Sequence, residues 1–293
     1  MSKISENIFI TDFHKYYKEK GLTNETIQLF RKIIYDYYRN HKRKFPFREN
    51  ITPYNVLVSE IMLQQTQTAR VSEKFLKFTE KFPDFLTLSQ TPLEIILKEW
   101  KGLGYNRRAI ALKKIAEIVV NEYGGRLPDS VKILKSFPQI GHNTASSIKA
   151  FAFNTPTVFI ETNIRRVYIY FFFFENNNIK DKTIFSIVKK TVDTAKPREW
   201  YYALMDYGVM LKKTHPELNK RSSHYRKQSP FKGSSRQIRG RILKLLIRNR
   251  KMGFNEIKND FKNVESNKIK SILIQLEKEG FVKIRDDQVQ LED

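Results

Sequence analysis

The chain has 293 residues, 40% of them hydrophobic, which is long enough for a sizeable core and too apolar for a disordered polymer. Its 54 basic residues against 31 acidic ones leave a net charge of +23, an excess that implies a polyanionic partner, because Lys and Arg neutralise phosphates and release counterions. The absence of cysteine excludes disulfides and any zinc site or iron–sulfur cluster held by thiolates.

Residues 1–22 mix polar, acidic and apolar side chains; they read as a loosely attached arm and carry no signal-peptide pattern. Thr23 or Asn24 can cap a helix from about Glu25 to Asn40, since Ile27, Phe30, Ile33, Ile34 and Tyr37 recur at helical spacing. Phe45-Pro46-Phe47-Arg48 and Thr52-Pro53 then break regular structure. Pro53 to about Thr68 reads as the next helix, with Glu60, Gln64 and Gln67 on one face and Val58, Ile61, Met62 and Leu63 covering much of the rest. A helix from Ser72 to Phe82, two short ones after Pro83 and Pro92, and another from Arg107 to Tyr123 follow. Gly124-Gly125 stops the last of these, and Gly102-Leu103-Gly104-Tyr105 is a tight turn before it.

A short helix from Asp129 to Ser136, a turn at residues 137–141 and a helix from Asn143 to Phe153 give a helix–hairpin–helix outline. It can aim backbone amides and a helix N-terminus at a phosphate, and it equally describes an ordinary helix connection. Thr162 to Phe174 is helical, and its apolar run from Val167 is far too short to span a bilayer, so it reads as core. Helices from Lys182 to Ala195 and from Pro197 to Gly208 come next. Between Lys212 and Lys251 there are 14 basic residues and one acid, Glu217, with Tyr225 and Phe231 interleaved. That segment reads as chain that tracks a nucleic-acid backbone, with residues 229–235 as a linker. Helices from Arg239, Asn255 and Ser266, then alternating strands from Phe281 to Ile284 and Gln288 to Leu291 joined at Asp286-Asp287, outline a winged helix suited to binding DNA or protein. The five histidines have no metal-ligand spacing, so no metal site is expected, and there is no phosphate loop or Ser nucleophile elbow.

Two carboxylates carry the chemistry. Glu60 lies among Val56, Leu57, Ile61 and Leu63, surroundings that raise a carboxyl pKa and let it hold a proton. Glu161 precedes Asn163, Arg165 and Arg166 at a helix start, where amides and basic neighbours are expected to keep it ionised. Such a pair suits hydrolysis of an N-glycosidic bond: one acid protonates the leaving base, and one anion stabilises the oxocarbenium-like sugar and the attacking water. By residue type alone, each also fits a surface or capping glutamate.

Residues 44–213 resemble the helix–hairpin–helix DNA glycosylases, and look most like the MutY-type adenine glycosylases. The likeness is carried by Phe45-Pro46-Phe47-Arg48, Pro53-Tyr54, the string from Ser59 to Gln67, Leu103-Gly104-Tyr105, the hairpin at 137–141, Asn163, and Leu204-Met205-Asp206-Tyr207-Gly208. The resemblance implies a mainly α fold of two helical subdomains with a central cleft, at residues 1–235, followed by the winged-helix domain at 236–293. Residues 51–160 would form a six-helix subdomain, and 23–50 with 161–235 the second. It implies that Glu60 is the proton donor and that Glu161 stands on the family's catalytic Asp, one methylene longer. Gln65 and Thr66 would wedge into the duplex, and Arg48 and Asn163 would line the pocket. Gln64, Tyr105, Gly141 and Asn143 would complete the base-pocket and DNA-binding set. The implied partner is double-stranded DNA with a mispaired or damaged base, whose target base is flipped out of the stack. The chain is expected to act as a monomer inside the cell, at the nucleoid if prokaryotic, with no membrane partner.

The departures from the family are specific. Four cysteines that usually bind a [4Fe–4S] cluster after the Leu-Met-Asp string are missing, so no cofactor is expected. Gln139 replaces the first hairpin glycine, Phe47 replaces a Trp, and the winged helix replaces a domain that senses 8-oxoguanine. Asn143 stands where the lyase branch carries Lys, so Schiff-base strand cleavage is not expected. The expected activity is monofunctional removal of adenine opposite guanine or 8-oxoguanine. The alternatives are excision of uracil or thymine from G mismatches and a non-catalytic DNA-binding regulator.

Overall fold

The computed structural model describes residues 3–226, 230–261 and 263–292, the first nine as backbone only. In chain order the helices are α1 (Lys3–Lys20), α2 (Asn24–His41), α3 (Pro46–Glu49), α4 (Pro53–Leu63), α5 (Thr68–Lys81), α6 (Phe85–Gln90), α7 (Leu93–Trp100), α8 (Arg107–Tyr123), α9 (Val131–Leu134), α10 (His142–Phe153), α11 (Thr162–Phe172), α12 (Asp181–Thr191) and α13 (Pro197–Thr214). A 3-10 turn (Leu218–Arg221), α14 (Ser235–Asn249), β1 (Lys251–Gly253), α15 (Phe254–Asn259), α16 (Ser266–Lys278), β2 (Val282–Arg285) and β3 (Gln288–Leu291) complete it. The chain divides into two compact units. The first is Met1–Glu49, Asp129–Lys132 and Ile140–Lys227; the second is Asn50–Pro128, Ile133–Gln139 and Gln228–Asp293.

The first unit is built on aromatic packing. Thr23 caps α2 by accepting from the Thr26 amide, and Phe30, Ile34 and Tyr38 form its buried stripe. Phe30 meets Phe171, Phe172 and Trp200 edge-on at 5.0, 4.9 and 5.5 Å between ring centroids. The N-terminal segment is not a loose arm. Its residues from Lys3 to Lys20 are helical, and Phe13 is fully buried against Phe171 and Phe172, with centroids at 5.1 and 5.6 Å. Burying one such ring contributes about 1.5–3 kcal/mol, enough to hold a helix that its charge pattern does not announce. The apolar run after Val167 is core, as its length requires. Helix α13 passes through Gly208 rather than ending there, because the missing side chain lets α11 approach.

In the second unit, α4 is buried almost all round, with Thr52 capping it and Pro53 in its first turn. It ends at Leu63, five residues before the expected stop, and α5 starts at Thr68. Gln67 therefore lies between helices and not on a face shared with Glu60. Trp100 is fully buried and donates from its indole nitrogen to Gly104 O at 3.1 Å, which shapes the turn between α7 and α8. Gly124 ends α8 in the left-handed conformation.

The last three helices and three strands follow the element order of a winged helix and share this unit. They do not stand apart, since α14 packs on α7. Ile238, Ile242, Leu243 and Leu246 of α14 and Ile269, Ile272, Leu273 and Leu276 of α16 form their core. The antiparallel sheet has order β1-β3-β2, with Met252 opposite Val289 and Ile284 opposite Val289 on the other side. Strand β1, three residues long, was not legible as a strand. Asp286 and Asp287 turn the hairpin with φ of 47° and 62°, the left-handed pair a tight hairpin turn demands. Among the described residues, the basic run from Lys212 to Lys251 is not one extended chain: it includes the end of α13, the 3-10 turn and the whole of α14. Of the expected linker, Ser229 lies outside the described residues.

Candidate functional site

In the second unit the site begins at the end of α4. Glu60 occupies its last turn, partly exposed between buried Ser59 and Ile61. The helix stops at Gln64, and Gln65 takes φ +54°, the left-handed backbone that non-glycine residues adopt only when their surroundings fix it. Gln65 is exposed. What fixes the turn is Arg108, a buried residue of α8. Its Nη1 donates to the carbonyls of Ile61, Met62 and Gln64 at 2.8, 2.7 and 2.7 Å. Its Nη2 donates to Thr66 Oγ1 at 3.0 Å and to the carbonyls of Leu103 and Gly104 at 3.1 and 3.0 Å. One cation thus satisfies the orphan carbonyls at the end of α4 and ties them to the 102–105 turn. Desolvation pushes its pKa down to about 10, still well on the charged side. Tyr105, at φ +47°, leaves that turn with its ring 5.6 Å from the Arg108 guanidinium. Gln64 also donates from Nε2 to Gln139 O at 3.3 Å, and Gln139 has φ +61°. That backbone explains why a glycine would suit position 139.

In the first unit the site is the start of α11. Glu161 is its N-cap. Oε1 accepts from the amides of Asn163 and Ile164 at 2.8 and 2.9 Å, and Oε2 accepts from Asn163 Nδ2 at 3.2 Å. The carboxyl is nevertheless pushed above the ordinary glutamate range, because desolvation outweighs those amides and the charges of Arg166 and Arg165. The expectation that cap and cations alone would set its ionisation is corrected here: burial is the larger effect. Asn143, in the first turn of α10, donates from Nδ2 to Ile160 O at 2.8 Å and accepts from the Ile160 amide at 3.3 Å. It therefore clamps the residue before Glu161. Gly141 caps α10 in an extended conformation with no side chain to intrude.

Asn163 is held from behind. Arg166 donates from Nη1 to Asn163 Oδ1 at 2.9 Å and to Gly208 O at 2.6 Å. A Cβ at Gly208 would lie 2.4 Å from Asn163 O, so only glycine allows this crossing of α11 and α13. Two residues earlier on α13, buried Asp206 accepts from Arg48 Nη1 at 3.0 and 3.1 Å and from Arg43 Nε at 2.8 Å. The Arg48 guanidinium also lies 4.3 Å from the Tyr202 ring centroid, and its side chain is 8% exposed. Arg48 thus braces α13 from the core side.

The residues marked in the sequence therefore fall into two groups. Glu60, Gln64, Gln65, Thr66 and Tyr105 lie in one unit, where Arg108 ties Gln64 and Thr66 to the 102–105 turn. Gly141, Asn143, Glu161, Asn163 and Arg48 belong to the other and are linked through α11 and α13. Sequence reasoning missed Arg108 and the packing role of Gly208. The available signal for Arg108 was a cation opening the apolar run Ala109-Ile110-Ala111-Leu112.

The site and the fold define a helical protein that carries a helix–hairpin–helix and two carboxylates on separate helices. Residues 58–193 match the family described as HhH-GPD superfamily base excision DNA repair protein. The chain is 36% identical over 200 residues to the adenine DNA glycosylase of Buchnera aphidicola subsp. Baizongia pistaciae, covering 66% of this chain and 56% of that protein. It is 31% identical over 192 residues to the thymine/uracil-DNA glycosylase of Methanothermobacter thermautotrophicus, covering 64% of this chain and 87% of that protein. The solved structure of a thermostable thymine-DNA glycosylase superposes with a TM-score of 0.58 at 30% identity, covering 64% of this chain and 88% of that one. The chain belongs to the HhH-GPD superfamily of base excision DNA repair proteins. It spans only about half the length of the Buchnera adenine glycosylase.

The segment after α13, where the resemblance implies an iron–sulfur cluster, does not fit one. It offers no thiol. Leu218 is buried, Arg221 donates from Nε to Asn176 O at 2.8 Å and from Nη2 to Phe173 O, and Ile179 forms an isolated bridge to Ser222. Direct hydrogen bonds close this loop onto the end of α11.

Proposed function

We propose that this protein is a monofunctional DNA glycosylase that hydrolyses the N-glycosidic bond of a mispaired base, adenine opposite guanine or 8-oxoguanine, without a metal or iron–sulfur cofactor. The observation that carries the reading is the doubly anchored Glu161 carboxylate, on a chain that retains the whole Ser59–Gln67 string around Glu60. Glu60 donates a proton to the departing base. Glu161, ionised, stabilises the positive charge that develops on the sugar and orients the attacking water. Its cap holds the anion in place before the reaction, so little reorganisation is needed in the transition state. Asn143 supplies no amine for a Schiff base, and its amide is engaged with Ile160, so hydrolysis is the outcome. Gln65 and Tyr105, both in left-handed backbone at turn tips, are the residues that enter the duplex while the base is flipped. The chain acts as a monomer on double-stranded DNA.

A second reading, thymine or uracil opposite guanine, is favoured by one observation: a glycosylase named for those bases is matched over 87% of its own length. Single-turnover assays on duplexes pairing adenine, thymine or uracil with guanine, and adenine with 8-oxoguanine, separate the two. Release of adenine alone is the expected result. Release of thymine or uracil alone assigns the second reading, and tight binding without any release would make the chain a DNA-binding regulator.

A further inference from the structure

Tyr105 is approached by a second cation, from a distant part of the chain. Arg236 donates from Nη1 to the Tyr105 hydroxyl at 2.8 Å, with its guanidinium 5.9 Å from the ring centroid. The two residues are 131 positions apart and lie in the same compact unit. Arg236 sits in the first turn of α14, where a positive charge opposes the helix macrodipole. The macrodipole therefore does not favour this placement, and beside a 3.5 Å contact from Nη2 to Pro230 O, just before α14, the side chain serves the distant turn. Nearby Arg239 and Arg241 are tied to Glu279 and Asp260, inside the C-terminal helices. Arg236 instead reaches out to the turn that follows α7.

The start of α14 is fixed locally. Ser234 caps it, and Gly233 donates its amide to Gln237 Oε1 at 2.6 Å. The body of the helix packs on α7, which runs directly into the 102–105 turn. Arg236 and Tyr105 are thus both held on ordered elements. Tyr105 also occupies a backbone region that a tyrosine adopts only when several contacts over-determine it. Arg108 grips the carbonyls of this turn, whereas Arg236 grips the phenol itself.

We propose that Arg236 is a positioning residue for Tyr105, through which the C-terminal helices set how the 102–105 turn engages a duplex and so help select the pair that is opened. The selection part of this inference rests on the glycosylase reading; the pairing itself does not.

The test uses Arg236→Ala, Tyr105→Phe and the double variant in the full chain. Binding is measured to matched and mispaired duplexes whose target nucleotide is 2′-fluorinated, which slows glycosidic cleavage. Each single variant is expected to lower the preference for the mispaired duplex by about five- to tenfold, and the double variant by no more than either alone, as for two ends of one interaction. Arg236→Lys, which keeps the charge but not the fork, is expected not to restore the preference. Losses that multiply in the double variant, or equal weakening on matched and mispaired duplexes, would overturn the proposal in favour of a plain phosphate contact.

A second measurement needs no DNA. Backbone hydrogen exchange of residues 102–106 in the free protein is expected to quicken in Arg236→Ala and Tyr105→Phe; unchanged exchange in both overturns the proposal. If Arg236→Ala does not fold, Tyr105→Phe carries the test, since it removes only the accepting oxygen. A chain that excises no base from any duplex yet shows quickened exchange contradicts the glycosylase reading and leaves the pairing standing. One that excises normally with unchanged exchange contradicts this inference alone.

Discussion

Glu161 combines two opposed influences on one carboxyl. Two backbone amides and the Asn163 side chain stabilise its charged form, while burial raises its pKa, and burial is the larger effect. If Glu161 acts as the proposed anion, activity should be lost as pH falls through a folded-state pKa that lies above 4.5. The acid limb of a single-turnover pH–rate profile should therefore report a value above the ordinary glutamate range, and a limb at or below it would refute the assignment. The stability sign is opposite. A raised carboxyl pKa contributes stability at low pH that is lost as pH rises through the folded-state value. The melting temperature of the wild type relative to Glu161→Gln should accordingly fall with rising pH across that window. Arg108 is the other residue on which much depends. Arg108→Ala strips the donor from carbonyls on both the α4 end and the 102–105 turn, and should cost about 3 kcal/mol or more in denaturant unfolding, with each unsatisfied buried carbonyl adding to the loss. A loss under about 1 kcal/mol would show that water replaces it readily. The capping position of Glu161 was readable from its place at a helix start, but its raised pKa was not, because burial depends on packing that its sequence neighbours do not show. Nor was the role of Arg108, because one side chain serving two turns leaves no periodic trace.

At the scale of elements, the crossing of α11 and α13 depends on one missing methyl group. Gly208→Ala would drive its Cβ into the Asn163 carbonyl, which belongs to the first turn after Glu161. Overpacking of this kind destabilises by about 1–3 kcal/mol. It should also reduce base release by more than the stability loss explains, because it moves the cap; activity unchanged at a temperature where the variant is fully folded would contradict that. Most helices were legible from apolar spacing, and α8 matched from Arg107 to Tyr123. The failures have physical reasons. Gly208 was read as a stop, but a glycine in a helix can be there for close approach. The helical reading ran past Leu63 because glutamine is a good helix former, while Arg108 draws the carbonyls of that end together into a turn. Helix α1 was missed because much of its anchoring comes from Phe13 in a pocket of distant aromatics. Strand β1 is too short to show alternation and exists through pairing with β3.

For the whole molecule, the net charge of +23 predicts strongly salt-dependent binding to duplex DNA. If six to ten phosphates are contacted, affinity should fall by about 10³–10⁵ between 50 and 200 mM salt, and a flat dependence would argue against a DNA partner. The fold class was legible because the helix pattern and the Ser59–Gln67 string agreed with each other. The grouping of the C-terminal helices with residues 50–128 was not, since it depends on α14 packing against α7. Among the described residues, no helix is long and apolar enough to cross a membrane. The central claim, that Glu60 delivers the proton that frees the base, is tested most directly by single-turnover base release from an adenine:8-oxoguanine duplex. Wild type should release adenine, and Glu60→Gln should release none while binding the duplex nearly as tightly; full excision by Glu60→Gln would contradict the mechanism.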